Sequence, residues 1–331
     1  MTDALVYECK DDDTGQQLSL RRVGEPIPVE FHTVHYMAHP SPIPLPTYER
    51  GLSTPLVFNS TVVTGNALDV LTALPAGLCQ TVVTSPPYWS LRDYAILGQL
   101  GLESDPNDYV NALVDVFEEV RRVLADDGAL WLNIGDSYTS GGRTWRAPDK
   151  KHPVRAMTTR PPTPEGLKPK ELVGIPWRLA FALQAAGWYL RSDTIWYKPN
   201  VLPESVKDRP TRSHEYLFLL TKSERYHYDS KAVRGVNGRN LRTVWDINTQ
   251  PLHDVHFATF PPTLVEPCVL LTSKPGDTIL DPFLGSGTVA TVAIQNGRPF
   301  IGIELNPAYV DIARRRIADV NRLDRQVEQV G

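Results

Sequence analysis

The sequence predicts an α/β protein built on a doubly wound, mostly parallel sheet covered by helices. Three observations carry that reading. From about residue 56, short apolar runs alternate with stretches of helical period, and such alternation implies parallel strands joined by covering helices. Near the other end, Asp281-Pro282-Phe283-Leu284-Gly285-Ser286-Gly287-Thr288 joins a strand to a helix through a glycine-rich turn. Between them, the apolar run Thr81-Val82-Val83 ends in Thr84-Ser85-Pro86-Pro87-Tyr88-Trp89. That is a rigid, non-helical turn at the carboxyl edge of a sheet, where ligands of such folds gather.

Each element follows from its own residues. Residues 1–55 are rich in proline and weakly periodic, and residues 39–46 alternate proline with other residues. They read as an extended arm. Residues 56–64 form a strand, which Gly65 and Asn66 turn into a helix through Ala67, Leu68, Val70 and Leu71. Residues 80–84 form the next strand. Tyr109, Val110, Leu113, Val114, Phe117, Val120, Val123 and Leu124 recur at helical spacing, and Asp127-Gly128 ends that helix. Residues 129–134 read as a buried strand. Residues 137–170 have no period and are too long for an ordinary connection, which marks them as functional or mobile. A helix over 171–186 is closed by Gly187, and 188–197 and 216–221 are strands. Residues 230–254 are polar and irregular. Residues 263–271 form a helix, and 278–304 a strand–helix–strand unit around the glycine-rich turn. A last helix runs over 307–320.

Composition narrows the function classes. Hydrophobic residues are 41% and charged residues 22% of the 331-residue chain, the balance of a globular protein. No apolar stretch reaches membrane-spanning length. The acidic N-terminus lacks the pattern of a signal peptide. Cys9, Cys79 and Cys268 lie far apart, which excludes a disulfide framework or a spaced metal site and makes a reducing cytoplasm the default. His32, His35 and His39 lack the partners a zinc site needs, so no metal is expected. The net charge of −4 conceals two basic segments. Residues 137–170 hold eight Lys/Arg, among them Arg143, Arg146, Lys150 and Lys151, against two Asp/Glu. Residues 198–242 hold ten against five. Two basic segments in an acidic chain mark a face that meets phosphate.

The two turns carry the chemistry. In Ser85-Pro86-Pro87-Tyr88 each proline fixes φ and removes an N–H, so carbonyl oxygens can face a cleft without a neighbouring donor. A hydroxyl, free carbonyls and an aromatic ring together can receive a flat ring that bears an amino group. In the second turn, Gly285 and Gly287 allow close backbone approach, and the following helix offers free N–H groups. Glu304 ends the next strand, where a carboxylate can accept both hydroxyls of a ribose. Gly285, Gly287 and Ala290 also fit a dinucleotide pattern. Asp281 at the strand tip would repel a pyrophosphate, however, and suits the cationic ligand S-adenosylmethionine. Asn66, at the end of the preceding strand, can meet an adenine or simply cap its helix.

Together these residues resemble the amino-group DNA methyltransferases of bacterial and phage modification systems, over residues 57–318. Ser85 to Tyr88 looks like the family's catalytic motif, and Asp281 to Thr288 like its cofactor loop. With the catalytic motif first and the cofactor loop last, the order is that of the circularly permuted β group. The resemblance implies a seven-stranded S-adenosylmethionine-dependent methyltransferase sheet with a small irregular DNA-recognition region. It divides the chain into the arm (1–55), a catalytic half (56–229), a target-recognition segment (230–256) and a cofactor-binding half (257–331). It implies a cofactor site of Asp281, Pro282, Phe283, Gly285, Ser286, Gly287, Thr288, Glu304, Asn66 and Phe260. It also places the segments 196–200 and 214–216 beside the target base. Relatives commonly carry Asp at the position of Asn66.

Within the family, Ser in the position of Ser85 is typical of enzymes that act on cytosine N4, and Asp or Asn of adenine N6 enzymes. The resemblance thus implies a site-specific cytosine-N4 methyltransferase acting on duplex DNA after base flipping. Ser85 Oγ and the Pro86 carbonyl would accept the amino N–H bonds, and Tyr88 would stack on the base. Positioning would supply most of the catalysis. Lys198, Arg143, Arg146, Lys150, Lys151, Arg234, Arg239 and Asn240 are the candidates for DNA contacts. A cognate restriction endonuclease is a possible partner, and the chain would be a monomer or dimer. Adenine-N6 methylation by the same fold is the nearest alternative, followed by a protein-glutamine or RNA methyltransferase and a DNA-binding protein without activity. Cytosine carbon-5 chemistry needs a cysteine nucleophile. Pro267-Cys268 falls in an apolar helix rather than at the relevant strand end, so Cys268 is expected in the core.

Overall fold

The computed structural model describes the backbone of residues 6–12, 15–21, 30–33, 60–140, 160–201, 204, 206–235, 238–250 and 260–328, with side chains described from residue 60 to 322 of that set. Two strands, β1 (Val6–Asp12) and β2 (Gly15–Arg21), pair as an antiparallel hairpin. The main sheet contains β3 (Glu30–Thr33), β4 (Thr61–Thr64), β5 (Cys79–Thr84), β6 (Leu124–Ile134), β7 (Tyr189–Tyr197), β8 (His214–Thr221), β9 (Val244–Asp246), β10 (Ile279–Asp281) and β11 (Phe300–Glu304), in the order β3-β4-β11-β10-β5-β6-β8-β7-β9. The strands from β4 to β7 in that order are the seven expected. All are parallel except β8, which runs against both its neighbours. The expected seven-stranded sheet is therefore nine-stranded here, because a short strand extends each edge: β3 antiparallel to β4, and β9 parallel to β7.

Helices α1 (Ala67–Ala73), α2 (Pro106–Val123) and α3 (Ile175–Ala185) contribute to one core, with α4 (Pro262–Thr272), α5 (Thr288–Gln295) and α6 (Pro307–Glu328) in the other. The strands feed both. Val63, Val82, Leu130, Leu132 and Leu280 enter the first core, and Val62, Val83, Trp131 and Ile279 the second. Successive strand side chains point to opposite faces, so strands buried on both faces read as continuous apolar runs. Each fully buried Leu, Val or Phe contributes about 1.5–3 kcal/mol. Cys268 lies fully buried on α4, where its thiol bonds to the Leu264 carbonyl and burial pushes it well above its ordinary range.

The local differences from expectation have local causes. Helix α2 stops at Val123, before Asp127-Gly128, because Leu124 already pairs with Cys79 at the start of a longer β6. Helix α3 begins at Ile175, because the carboxylate of Asp136 accepts the N–H groups of Gly174 and Ile175 at 2.9 Å each and anchors its first turn. Strands β1, β2 and β3 lie in the segment read as a proline-rich arm. Within the segment read as irregular, β9 forms because Trp245 buries itself against Trp131, with ring centroids 6.0 Å apart. The last strand and the first core strand are parallel neighbours, as the permuted order requires: Glu304 pairs with Thr64, and the Gly65 N–H donates to the Glu304 carbonyl at 3.0 Å.

Candidate active site

Chain direction across the sheet reverses between β10 and β5. From β10 the chain runs through α5 to β11 on one side, and from β5 through α2 to β6 on the other. Ligands of open α/β sheets bind in the crevice at such a switch, outside the carboxyl ends of the strands. Asp281 ends β10, and Ser85 follows the last residue of β5. The hydroxyl of Thr84 donates to Asp281 Oδ1 at 2.7 Å, so the two turns singled out in the sequence are joined side by side.

On the cofactor side, Asp281 is buried, and Oδ1 also accepts the Phe283 N–H at 3.0 Å. Burial pushes its carboxyl up to about 7. The carboxylate of Glu304 accepts the Gly285 N–H at 2.8 Å through Oε2 and the Asn306 N–H at 2.7 Å through Oε1, and burial raises it as well. Gly287 has a φ of 83°, and a Cβ there would lie 3.0 Å from Ala313 Cβ on α6. Only glycine combines that backbone with that approach. The side chain of Arg316 on α6 donates to the Ser286 carbonyl at 2.6 Å, to its hydroxyl at 2.8 Å and to the Thr288 hydroxyl at 3.3 Å. The expected ligand hydroxyls of Ser286 and Thr288 are thus held by an arginine that no sequence signal marked. Asn66 caps α1, its Oδ1 accepting the Leu68 N–H at 2.9 Å. Phe283 packs against the first core and Phe260 against the second.

On the catalytic side, the proline turn is braced from three directions. The Tyr109 hydroxyl donates to the Pro87 carbonyl and the Ser137 hydroxyl to the Trp89 carbonyl, both at 2.7 Å, while the Trp89 indole donates to the Glu103 carbonyl at 2.9 Å. The Pro87 carbonyl is therefore occupied. Among the described residues, no donor reaches the carbonyl of Pro86. The ring of Tyr88 lies over Gly135, where a Cβ would come within 2.6 Å of Tyr88 Cε2. Its hydroxyl donates to Glu215 Oε2 at 2.7 Å and accepts from Asn133 Nδ2 at 2.8 Å and from Ser85 Oγ at 3.2 Å. Burial, then the adjacent Glu215 charge, raises this phenol well above its ordinary value. Asn133 went without a role in the sequence reading, and Glu215 entered it only within the segment 214–216, placed beside the target base. The one usable signal was Asn133 itself, an amide in the otherwise apolar end of β6.

Of the expected DNA-contacting residues that are described, Lys198 reaches this centre through Glu215, and Arg234, Arg239 and Asn240 bond within one turn. Arg143, Arg146, Lys150 and Lys151 fall outside the described residues. Arg234 donates to Asn240 at 2.7 Å, and the Gly235 N–H to the Arg239 carbonyl at 2.7 Å, in an exposed turn. Several cations of the second basic segment meet carboxylates instead: Lys198 with Glu215, Arg209 with Glu204 at 2.6 Å, Arg212 with Asp136 at 3.6 Å and Lys222 with Asp126 at 3.0 Å. Lys198 is only 14% exposed and lies over the Trp196 ring.

Two carboxylates raised by burial, Asp281 buried and Glu304 half-buried, neither in a salt bridge among the described residues, fit a ligand that brings cationic groups and a diol. The sheet with its switch-point crevice is the fold of the S-adenosylmethionine-dependent methyltransferases. Comparison with known proteins agrees and goes further. A family model described as DNA methylase, of the N6/N4 type, matches residues 79–315. The type II methyltransferase M.Cfr9I of Citrobacter freundii is 61% identical over 279 residues, covering 83% of this chain and 93% of its own. M.SmaI of Serratia marcescens is 56% identical, covering 77% and 90%. Among solved structures, PvuII DNA methyltransferase, titled cytosine-N4-specific, aligns with a TM-score of 0.60 at 20% identity over 80% of this chain and 92% of its own. The putative DNA modification methylase TTHA0409 of Thermus thermophilus, solved with S-adenosyl-L-methionine, aligns with a TM-score of 0.56 at 27% identity over 78% and 94%. The chain belongs to the N6/N4 DNA methylase family and is a type II DNA methyltransferase that uses S-adenosylmethionine.

Proposed function

We propose that the chain methylates the exocyclic N4 of cytosine in duplex DNA at a specific sequence, with the base turned out of the helix into the crevice beside Ser85. The observation that carries this reading is the hydroxyl of Ser85, which donates to Tyr88 at 3.2 Å, accepts from Asn133 at 3.4 Å and keeps a lone pair for an incoming amino group. The Pro86 carbonyl is the second acceptor. An amino nitrogen conjugated to a ring is a weak nucleophile, and two acceptors on its N–H bonds favour the tetrahedral geometry that frees its lone pair. S-adenosylmethionine, bound along Asp281, Gly285, Gly287 and Glu304, supplies a methyl group already activated on sulfonium, so alignment supplies most of the rate. Serine as the first residue of the motif favours cytosine over adenine, on the family pattern.

In this reading Ser85 is an acceptor and not a nucleophile. Tyr88 fixes the wall of the pocket, its ring held against Gly135 and its hydroxyl committed to Glu215. Exposed Arg234 and Arg239 are available to phosphate, whereas Lys198 is better suited to an internal role. Methylated duplex DNA, digested to nucleosides, tests the proposal. N4-methylcytosine is expected from the wild type and none from Ser85→Ala, whereas N6-methyladenine would show that the same fold acts on adenine.

A further inference from the structure

A chain of hydrogen bonds leads from Ser85 away from the cleft, and its direction is fixed by its far end. Ser85 Oγ lies 3.2 Å from the Tyr88 hydroxyl, which lies 2.7 Å from Glu215 Oε2. Asn133 Nδ2 lies 2.8 Å from the same hydroxyl and 2.9 Å from Glu215 Oε2. The ammonium of Lys198 closes the far side on Glu215 Oε1. The Lys198 and Glu215 side chains are 14% and 17% exposed, and Asn133 is buried.

The members of this chain do not have equal freedom. An ionised carboxylate can only accept, and an amide nitrogen can only donate. Tyr88 must therefore give its single proton to Glu215. Its oxygen is left to accept, from Asn133 and from Ser85. Ser85 in turn must spend its one proton on Tyr88, which leaves only lone pairs for a group entering the cleft. Burial alone would push the Glu215 carboxyl up. The Lys198 ammonium and the bonds from Tyr88 and Asn133 outweigh it and hold the carboxyl below its ordinary value.

We infer that Lys198 and Glu215 are positioning residues that set the polarity of this chain and so make Ser85 an obligate acceptor toward the target amino group. The inference rests on the proposed role of Ser85 and assigns Lys198, a candidate for DNA phosphate, to an internal task. Reversed polarity would turn the Ser85 proton toward the amino group and set donor against donor. A carboxamide at position 215 produces that reversal, since its oxygen would face Lys198 and its N–H groups Tyr88.

Glu215→Gln tests this. With methyl transfer to duplex DNA followed at steady state, kcat is expected to fall about 100-fold, the loss typical of one preorganised hydrogen-bonding group at a reacting atom. KM for DNA and the Kd for S-adenosylmethionine should stay within about twofold, as for an interaction made in the transition state alone. A kcat within about threefold of wild type, beside an inactive Ser85→Ala, overturns this inference alone. An active Ser85→Ala overturns both it and the reading beneath it. Lys198→Met gives a second readout that a purely structural role would not move. Facing Glu215 are Lys198 from the end of β7, Tyr88 from the motif and His214 on its own strand, with Arg212 and Asp136 acting on His214. Without the ammonium, the Glu215 carboxyl rises, and kcat should gain an acidic limb that recovers as pH increases. An unchanged pH profile in Lys198→Met contradicts the inference. If Glu215→Gln loses its thermal transition, that profile decides.

Discussion

Asp281→Asn removes one charge from the floor of the crevice while keeping an oxygen that can accept from Thr84 and from the Phe283 amide. The native carboxyl is raised by burial from an ordinary 3.8 to about 7. The folded protein therefore holds this proton more tightly than the unfolded chain. Its contribution to stability is fully present below about pH 4 and is lost as pH rises through about 7. By pH 8 the buried charge costs the cofactor-free protein about 4 kcal/mol. Asp281→Asn should accordingly be more stable than wild type without cofactor at pH 8, by up to about 4 kcal/mol, and gain little at pH 4. Cofactor binding should move the other way. If the cation of S-adenosylmethionine meets the ionised form, wild-type affinity should rise about eightfold between pH 6 and 7.5, following the ionised fraction. The ligand's own amino group starts to lose its proton only at the top of that window, which trims the rise without reversing it. The variant should bind more weakly at pH 7.5 and largely lose the slope, since Glu304 is the other raised carboxyl in the crevice. Urea unfolding and isothermal titration across these pH values measure both effects. A cofactor-free variant less stable than wild type at pH 8, or an affinity and slope that survive the substitution, would refute the reasoning.

Gly287→Ala should destabilise the protein by about 2–4 kcal/mol, from the left-handed backbone and the contact with Ala313 together, and should weaken cofactor binding; an unchanged urea midpoint would contradict this. Tyr109→Phe removes the buried donor to the Pro87 carbonyl. It should cost about 1–3 kcal/mol in urea unfolding, the penalty of an unsatisfied buried acceptor, and an unfolding curve that overlays the wild type would show that the proline turn needs no such brace.

Much of the fold was legible because the strands and helices obey simple periods. The continuous apolar runs of β5, β6 and β10 announced strands buried on both faces, and the glycines after Asp281 announced the crevice. The order of the two turns along the chain also announced that β4 and β11 would be neighbours. What the period of a segment cannot carry is pairing across the sheet. Strand β9 exists through Trp245 and its neighbours, and a three-residue strand has too few positions to show a period. The same holds in the site. Ser85, Asp281 and Glu304 stand at strand ends, where a sequence motif can mark a candidate. The residues that brace the neighbouring turns come from elsewhere: Tyr109, on the Pro87 carbonyl, and Arg316, on Ser286 and Thr288, from helix faces, and Glu215, on Tyr88, from an antiparallel strand. Charge counting was least informative, because Lys198, Arg212 and Lys222 meet carboxylates that lie beside them only once the chain has folded.

The central claim is that Ser85 receives the amino group of a cytosine. Duplex DNA methylated by the purified protein, digested and resolved into nucleosides, tests it most directly. N4-methylcytosine as the sole methylated nucleoside, absent when Ser85→Ala replaces the wild type, is the predicted result. N6-methyladenine in its place, or N4-methylcytosine still formed at the wild-type rate by Ser85→Ala, would contradict it.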